Sequence, residues 1–436
     1  MTKKEVTIFW FRRDLRLDDN RGLNKALKSG SPVLCLFIYD RIILSKLADK
    51  DDPRLSFIYA ATERLKASLQ EYGSDLLAKY AAPEDAWREI LDEYNVKGVF
   101  ANEDYEPYAR SRDSQITALL AARNISFTQT KDQCIFSPGE ILKADGKPYT
   151  IFTPFKNRWL AQVSQVDLLP DESMPEGASF LQVGTQPLEL PSLAAMGFVR
   201  SGSVFPGISY RGMLADYGET RNFPSLDSTS RLGIHLRFGT LSIRKLYKDA
   251  NELSAVFLSE LIWREFYFQI LWHFPQVSGH AFKPAYDRIK WLNNEADFER
   301  WCKGETGFAL VDAGMRQLNK TGFIHNRLRM VVASFLCKDL LIDWRWGEAY
   351  FARKLLDFEL SSNNGGWQWA AGTGCDAAPY FRIFNPSEQL KKFDADLKFT
   401  RKWVPEFQEL SYKPMVDHKF ARDRCLVVYK EALAQA

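Results

Sequence analysis

Glu260, Trp263 and Arg264 stand within five residues in Glu260-Leu261-Ile262-Trp263-Arg264-Glu265-Phe266, so on a helix they share one face. A carboxylate, an indole and a guanidinium then point the same way. The carboxylate can hold a base edge, the indole can stack, and the guanidinium can pair with an acid. The plainer alternative is a Glu260–Arg264 surface ion pair beside a core tryptophan. A second concentration runs from Asp357 to Pro386, where Asp357 and Glu359 lead into Asn363-Asn364-Gly365-Gly366 and then Trp367 and Trp369. The glycine pair predicts a tight bend carrying aromatic surface, with carboxylates approaching it. The alternative is a helix ended by an Asn-Gly turn, its tryptophans in the core.

Thr229-Ser230-Arg231-Leu232-Gly233 gathers hydroxyls, backbone N–H groups and an arginine at an expected helix start. That set suits a phosphate or pyrophosphate, or serves as an ordinary N-cap. Gly239-Thr240-Leu241-Ser242 reads as a plain cap. His325-Asn326-Arg327-Leu328-Arg329-Met330 is polar yet opens an apolar helical run, so its side chains are expected to face a site; His325 by itself reads as structural. Five histidines and six cysteines lie scattered without CxxC spacing, which predicts no metal cluster, disulfide framework or histidine-based triad.

These residues need elements to position them. At 436 residues the chain predicts two domains. No apolar run reaches membrane-spanning length and Met1–Phe11 lacks a signal peptide's layout, so a cytoplasmic, nucleoid-associated protein is expected. Residues 201–436 carry 32 basic and 27 acidic side chains, or +5; the rest carry 26 and 28, or −2, so an anionic partner is weakly favoured for the second half. Eight of the twelve tryptophans fall between Trp263 and Trp369, in that same half.

Strand-type runs at Val6–Phe11, Val33–Tyr39, Leu76–Tyr80, Val96–Ala101 and Ile125–Thr130 alternate with helical patterns. That order predicts an N-terminal doubly wound parallel sheet of Rossmann-like α/β type, residues 1–131, with ligands at strand carboxyl ends. The first strand runs into Phe11-Arg12-Arg13-Asp14-Leu15-Arg16, expected as a solvated loop with internal Arg–Asp pairs. No GxGxxG follows it, which argues against a nicotinamide site. Residues 132–212, rich in proline, glycine and serine at Leu169-Pro170-Asp171 and Met174-Pro175-Glu176-Gly177, read as a surface connector with an ordered piece near Phe152–Val163. Helical patterns then dominate, so residues 213–436 are expected to form an all-helical domain.

Taken together, FWFRRDLRLDDN, NEDYEPYARSRD, TSRLGIHLRFGTLS, ELIWREFY, GFALVDAGMRQLNKTGFIHNRLRM, KDLLIDWRWGEAYF and NNGGWQWAAGTGCDAAPYFRIFNP resemble the photolyase/cryptochrome flavoproteins over nearly the whole chain. The branch they resemble most is the class I cyclobutane pyrimidine dimer (CPD) photolyases. That resemblance implies FAD in the helical domain, with Tyr217, Thr229, Ser230, Arg231, Leu232 and Gly233 at its ribityl and phosphate part. Family members often carry serine at the position of Gly233. Arg329, Asp357, Phe358, Glu359 and Asn363 would bind the flavin, with Asp357 paired to Arg329 and Asn363 beside flavin N5. Glu359 stands where aspartate is usual. Glu260, Trp263, Arg264, Tyr267, Asn326, Arg327, Met330 and Trp369 would meet the dimer or its DNA, with Trp263 and Trp369 clamping the lesion. Glu260, Asn363 and Met330 would be the catalytic set, Met330 standing where the six-four enzymes place a histidine. Trp367, Trp344 and Trp291 match an electron-transfer chain, and Trp346 is an additional tryptophan beside it. The implied reaction is light-dependent splitting of the dimer by an electron from excited reduced FAD, with the electron returned. Cryptochrome signalling through a partner is the alternative. A second, antenna chromophore (folate, deazaflavin or FMN) is left open, near Phe11–Arg16, Asp40 or Asn102–Tyr105. A monomer without a metal or a membrane is expected, acting on DNA.

Overall fold

The computed structural model describes residues 3–166, 168, 179–184 and 187–434. Leu169-Pro170-Asp171 and Met174–Gly177, on which part of the connector expectation rests, lie outside the described residues. The chain divides into two compact units, and both are discontinuous. The first holds residues 1–137, 162–208 and 232–249, the second 138–161, 209–231 and 250–436. The expected boundaries at 131 and 212 were contiguous; here pieces of the connector are shared out between the units.

The first unit is built on five parallel strands, β1 Glu5–Phe11, β2 Val33–Asp40, β3 Leu76–Ala81, β4 Asn95–Asn102 and β5 Ser126–Thr130, in the order β3-β2-β1-β4-β5. Helices Arg21–Leu27, Pro53–Gln70, Pro83–Glu93 and Pro107–Ala121 stand between successive strands. Side chains alternate across a strand, so β1 and β2 feed two cores. Phe9, Phe11, Cys35 and Phe37 enter one, and Ile8, Trp10, Leu34 and Leu36 the other. Phe180 of the connector adds a parallel bridge to Val33 and joins the first of these cores.

The charged run after β1 is not the solvated loop its composition suggests. Arg12, Arg13, Asp14 and Arg16 are all buried. Their guanidiniums pair beyond the run, Arg12 with Asp113 at 2.5 Å, Arg13 with Asp104 at 3.2 Å and Arg16 with Asp132 at 2.7 Å. Arg244 adds Asp19 and Asp132 at 2.9 and 2.8 Å. Burial raises a carboxyl's pKa, but Arg13, Arg112 and Arg12 overcome it at Asp104 and hold that group at about 2. The physical reason is cost: charge leaves water only when paired, and here each guanidinium finds a carboxylate. Asp40 likewise caps the helix Arg41–Leu44 and accepts from the Tyr108 hydroxyl at 2.6 Å.

The second unit is helical. Its site is carried by α1 Phe152–Val163, α2 Ala255–His273, α3 Glu295–Lys303, α4 Ala309–Thr321, α5 Asn326–Ser334, α6 Trp344–Lys354 and α7 Leu360–Ala371. A π-helical turn, Phe335–Asp339, continues α5. One core of Val311, Met315, Leu328, Val332, Leu336, Trp344 and Trp367 ties α4 to α7 together. Among the described residues no helix is long and apolar enough to cross a membrane, and no group of three or more His, Cys, Asp or Glu could hold a metal.

Candidate functional site

Helix α2 begins at Ser254, whose hydroxyl accepts from the N–H of Phe257, and it buries Leu258, Leu261, Ile262 and Phe266. Glu260, Trp263, Arg264 and Tyr267 are left on a half-exposed stripe. The Glu260–Arg264 pair that spacing allows is not made. Arg221 Nη1 donates to Glu260 Oε1 at 2.7 Å, and Arg264 reaches Glu359 at 3.4 Å while lying 4.5 Å over the Phe268 ring. Arg221 also lies 5.2 Å over the ring of Tyr217, which is buried. Glu359 is buried, and its Oε2 accepts from the Ser362 hydroxyl at 3.1 Å.

One face of Trp263 is already occupied. Phe152 at the start of α1 stacks on it at 3.7 Å and 8°. The N–H of Phe152 donates to Asp376 Oδ2, beyond α7, at 2.9 Å, and Trp159 Nε1 donates to Glu265 Oε2 at 2.6 Å, which ties α1 to α2. Stacking of that geometry holds an indole in one orientation. Phe152 was missed from sequence. Its only signal was an aromatic residue in the ordered piece of an irregular segment.

Gly365 and Gly366 do not make the expected bend; both lie inside α7, and the left-handed turn comes at Gly372, with φ of 87°. Gly365 is there for close approach. A Cβ on it would lie 2.2 Å from the Tyr267 ring. Trp263, Tyr267, Gly365 and Trp369 line one open cleft, with Asn364 and Cys375 on its wall. Asn363 is turned elsewhere, donating from Nδ2 to Glu348 Oε1 at 3.0 Å. Burial pushes the Glu348 carboxyl up, and the Asn363 hydrogen bond opposes this. Glu348 was also missed from sequence, since nothing in WRWGEAYF singles it out.

His325 caps α5, its Nδ1 accepting from the N–H of Arg327 at 3.2 Å. Burial, then the guanidiniums of Arg327, Arg329 and Arg221, hold its imidazole down at about 4. Asn326 is exposed and Met330 half-buried. Arg329 Nη2 donates to both oxygens of Asp357, at 2.8 and 3.1 Å. Arg327 donates to Asn222 Oδ1 at 2.6 Å and lies 4.2 Å over Phe393. Burial, Arg221 and Arg382 lower its pKa, so three cations share this neighbourhood. Arg221 and Arg382 are further residues that sequence reasoning passed over.

Thr229 and Ser230 are half-buried; Arg231, exposed at φ of 50°, pairs with Asp227 at 2.7 Å and lies 5.0 Å over Phe323. Leu232 is buried in the first unit, and Gly233 opens the short helix Gly233–Phe238 there. Ser242 Oγ accepts from the N–H of Arg244 at 3.1 Å, as a cap does. Phe358 packs partly buried on the main core. The Trp367 ring rests on Gly347 and meets Phe351 edge-on at 5.0 Å. Trp344 lies on the same buried face of α6 as Gly347 and Phe351. Trp291 meets Tyr429 at 5.9 Å, and its neighbour Leu292 donates to the carbonyl of Leu341 at 2.8 Å.

Ser228 Oγ, His325 Nε2 and Ser361 Oγ are among the buried polar atoms of this unit with no hydrogen-bond partner in the protein. The first turn of α7 also lacks a side-chain cap at Glu359. Buried donors and acceptors of this kind call for a polar ligand or water. With the Arg329–Asp357 pair and the Thr229–Arg231 hydroxyls and guanidinium, the donor set fits a large polar cofactor bearing phosphates.

Residues 257–420 match the family described as FAD binding domain of DNA photolyase, and residues 7–176 match DNA photolyase. The chain is 37% identical to a deoxyribodipyrimidine photo-lyase of Synechococcus sp., over 94% of this chain and 90% of that protein. It is similar to a bacterial class III photolyase from Agrobacterium tumefaciens, with a TM-score of 0.87, 30% identity, and 99% and 98% of the two chains covered. An archaeal photolyase from Sulfolobus tokodaii, whose structure has two FAD molecules, gives a TM-score of 0.85 at 35% identity, covering 98% and 100%.

Proposed function

This chain belongs to the DNA photolyase family, and on that basis we propose that it repairs cyclobutane pyrimidine dimers in DNA under blue light, with FAD held in its helical unit. The observation that carries the proposal is the lining of a single cleft by Trp263, Tyr267 and Trp369 beside the Glu260 face of α2. A dimer pairs and stacks poorly, so its extrusion from the duplex is inexpensive. Trp263 is braced on one side by Phe152 and offers its other side to a base. Arg221, Arg327 and Arg382 supply positive charge for phosphates, which holds the strand without reading its sequence. Glu260, kept in place by Arg221, meets a pyrimidine carbonyl edge. Asn326 and Met330, on the open side of α5, add contacts to the lesion.

Bound FAD supplies light absorption and one-electron donation, the step no side chain can perform. Arg329 and Asp357 fix one another and would present the carboxylate to the ring edge of the flavin. Asn363, oriented by Glu348, would offer its amide at flavin N5. Trp367, packed on Gly347, would supply an electron when the flavin is oxidised, with Trp344 and Trp291 behind it. Met330, standing where the six-four enzymes place a histidine, favours cyclobutane-dimer over six-four chemistry. A second chromophore is proposed without an identity. An assay of thymine-dimer DNA in light and dark tests the whole proposal. Light-dependent loss of dimers is expected. Flavin photoreduction without repair would instead favour a photoreceptor.

A further inference from the structure

The cleft takes its two walls from different helices, Trp263 and Tyr267 from α2 and Trp369 from α7. They meet where the Tyr267 ring packs on Gly365. A second tie between them runs through α1. Phe152 opens that helix, where a backbone N–H has no partner within the helix itself. Asp376, 224 positions further along the chain, accepts it at 2.9 Å. The Phe152 ring lies flat on Trp263 at 3.7 Å and meets Phe266 edge-on at 5.8 Å. Phe266 in turn meets Trp263 edge-on at 5.6 Å. Three rings therefore lock one another, and the backbone of one of them is held by Asp376.

Asp376 moves with the Trp369 end of α7. The N–H groups of Thr373 and Gly374 both donate to the carbonyl of Gln368, the neighbour of Trp369, at 3.0 and 3.1 Å. With Gly372 left-handed, the chain is folded tightly back on the helix end. On the other side, Lys156 Nζ donates to Ser259 Oγ at 3.2 Å and Trp159 to Glu265, so α1 is fastened to α2 both before and after Trp263. We propose that Asp376 and Phe152 are positioning residues for dimer repair, one hydrogen bond and one ring stack setting Trp263 against the Trp369 wall before the lesion arrives. The proposal rests on the reading of this cleft as the dimer site.

The need for such a tie is physical. An indole on a half-exposed helical stripe has more than one rotamer open to it. Ordering it only when the lesion binds costs affinity. Stacking on Phe152 removes that freedom beforehand and leaves the far face of the indole for a base. The negative charge of Asp376 works against nearby phosphates, and its place at the start of α1 offsets this. A direct contact between Asp376 and the lesion is the competing reading, because Asp376 also lines the cleft.

The test uses the flavin-loaded chain and two DNAs of one length, with and without a single thymine dimer. Phe152→Leu keeps apolar volume but not the flat ring, and Asp376→Ala removes the acceptor. Each should lower dimer affinity about 3- to 10-fold. Affinity for undamaged DNA, which rests on arginine–phosphate contacts, should stay as it was. At saturating dimer, repair per absorbed photon should change little, because the bound lesion itself packs the indole. Asp376→Asn keeps an oxygen acceptor and should restore most of what Asp376→Ala loses. The two losses should not add in the double variant, since both act through one tie. Additive losses would give Asp376 a direct lesion contact and overturn the proposal. Unchanged dimer affinity in Asp376→Ala, equal loss in Asp376→Asn, or parallel losses for both DNAs would overturn it too. Where Phe152→Leu fails to retain flavin, the two variants of half-buried Asp376 carry the decision. An unaltered chain with no preference for dimer DNA would instead remove the reading of the cleft itself.

Discussion

Glu260 is half-exposed and holds one ion pair, with Arg221, which is itself half-buried. Its free oxygen is what a lesion would meet. Glu260→Ala should therefore lower repair per absorbed photon more than it lowers dimer affinity, read by comparing quantum yield with a binding isotherm. An unchanged yield removes its assigned role. His325 gives a prediction of a different kind. Its imidazole is held at about 4, below the ordinary 6.5, by burial and three guanidiniums. Between those values the unfolded chain takes up a proton that the folded chain refuses, so stability falls as pH drops from about 6.5 to about 4. The loss is at most about 3 kcal/mol. His325→Asn replaces the Nδ1 cap acceptor with an amide oxygen and should flatten that part of the denaturation profile. Identical profiles would assign the acid sensitivity to another group. At this scale the sequence showed residue types well and partners poorly. Glu260 and Arg264 looked paired to each other, yet each pairs with a residue on another element.

Helix α7 shows what a local pattern can and cannot say. Asn-Gly-Gly has the chemistry of a turn, but the backbone stays helical through Gly365 and Gly366. Tertiary contact decides the matter, since the Tyr267 ring fills the place of a Gly365 Cβ. Gly365→Ala gains helix propensity, yet it forces Tyr267 to move. A net loss of about 1–3 kcal/mol is expected in chemical denaturation, with weaker dimer binding because Tyr267 lines the cleft. A neutral or stabilised variant would show that Tyr267 yields freely. Helices with a clear apolar period were legible, as at Ala309–Thr321. The π-helical turn after α5 was not, because an added residue per turn leaves the apolar run of Val331 to Leu336 intact.

At the scale of the molecule, the parallel sheet could be read from alternation of apolar runs and helices, and each expected strand lies within two residues of an observed one. The sharing of the connector between the two units could not. Phe152, Phe155 and Trp159 pack in the second unit, while Phe180 and Leu193 enter the first. Such contacts join residues far apart in sequence, and composition carries no signal of them. The same limit hid Phe152 behind Trp263. What the residues, the helices and the family membership support jointly is dimer splitting driven by light that a flavin in the helical unit absorbs. The action spectrum of thymine-dimer splitting by the pre-reduced, flavin-loaded chain tests this most directly. Splitting should require light, and its yield should follow the absorption of the bound reduced flavin and any antenna across the near-ultraviolet and blue. Equal splitting in the dark, or a spectrum unrelated to the bound chromophores, would contradict the account.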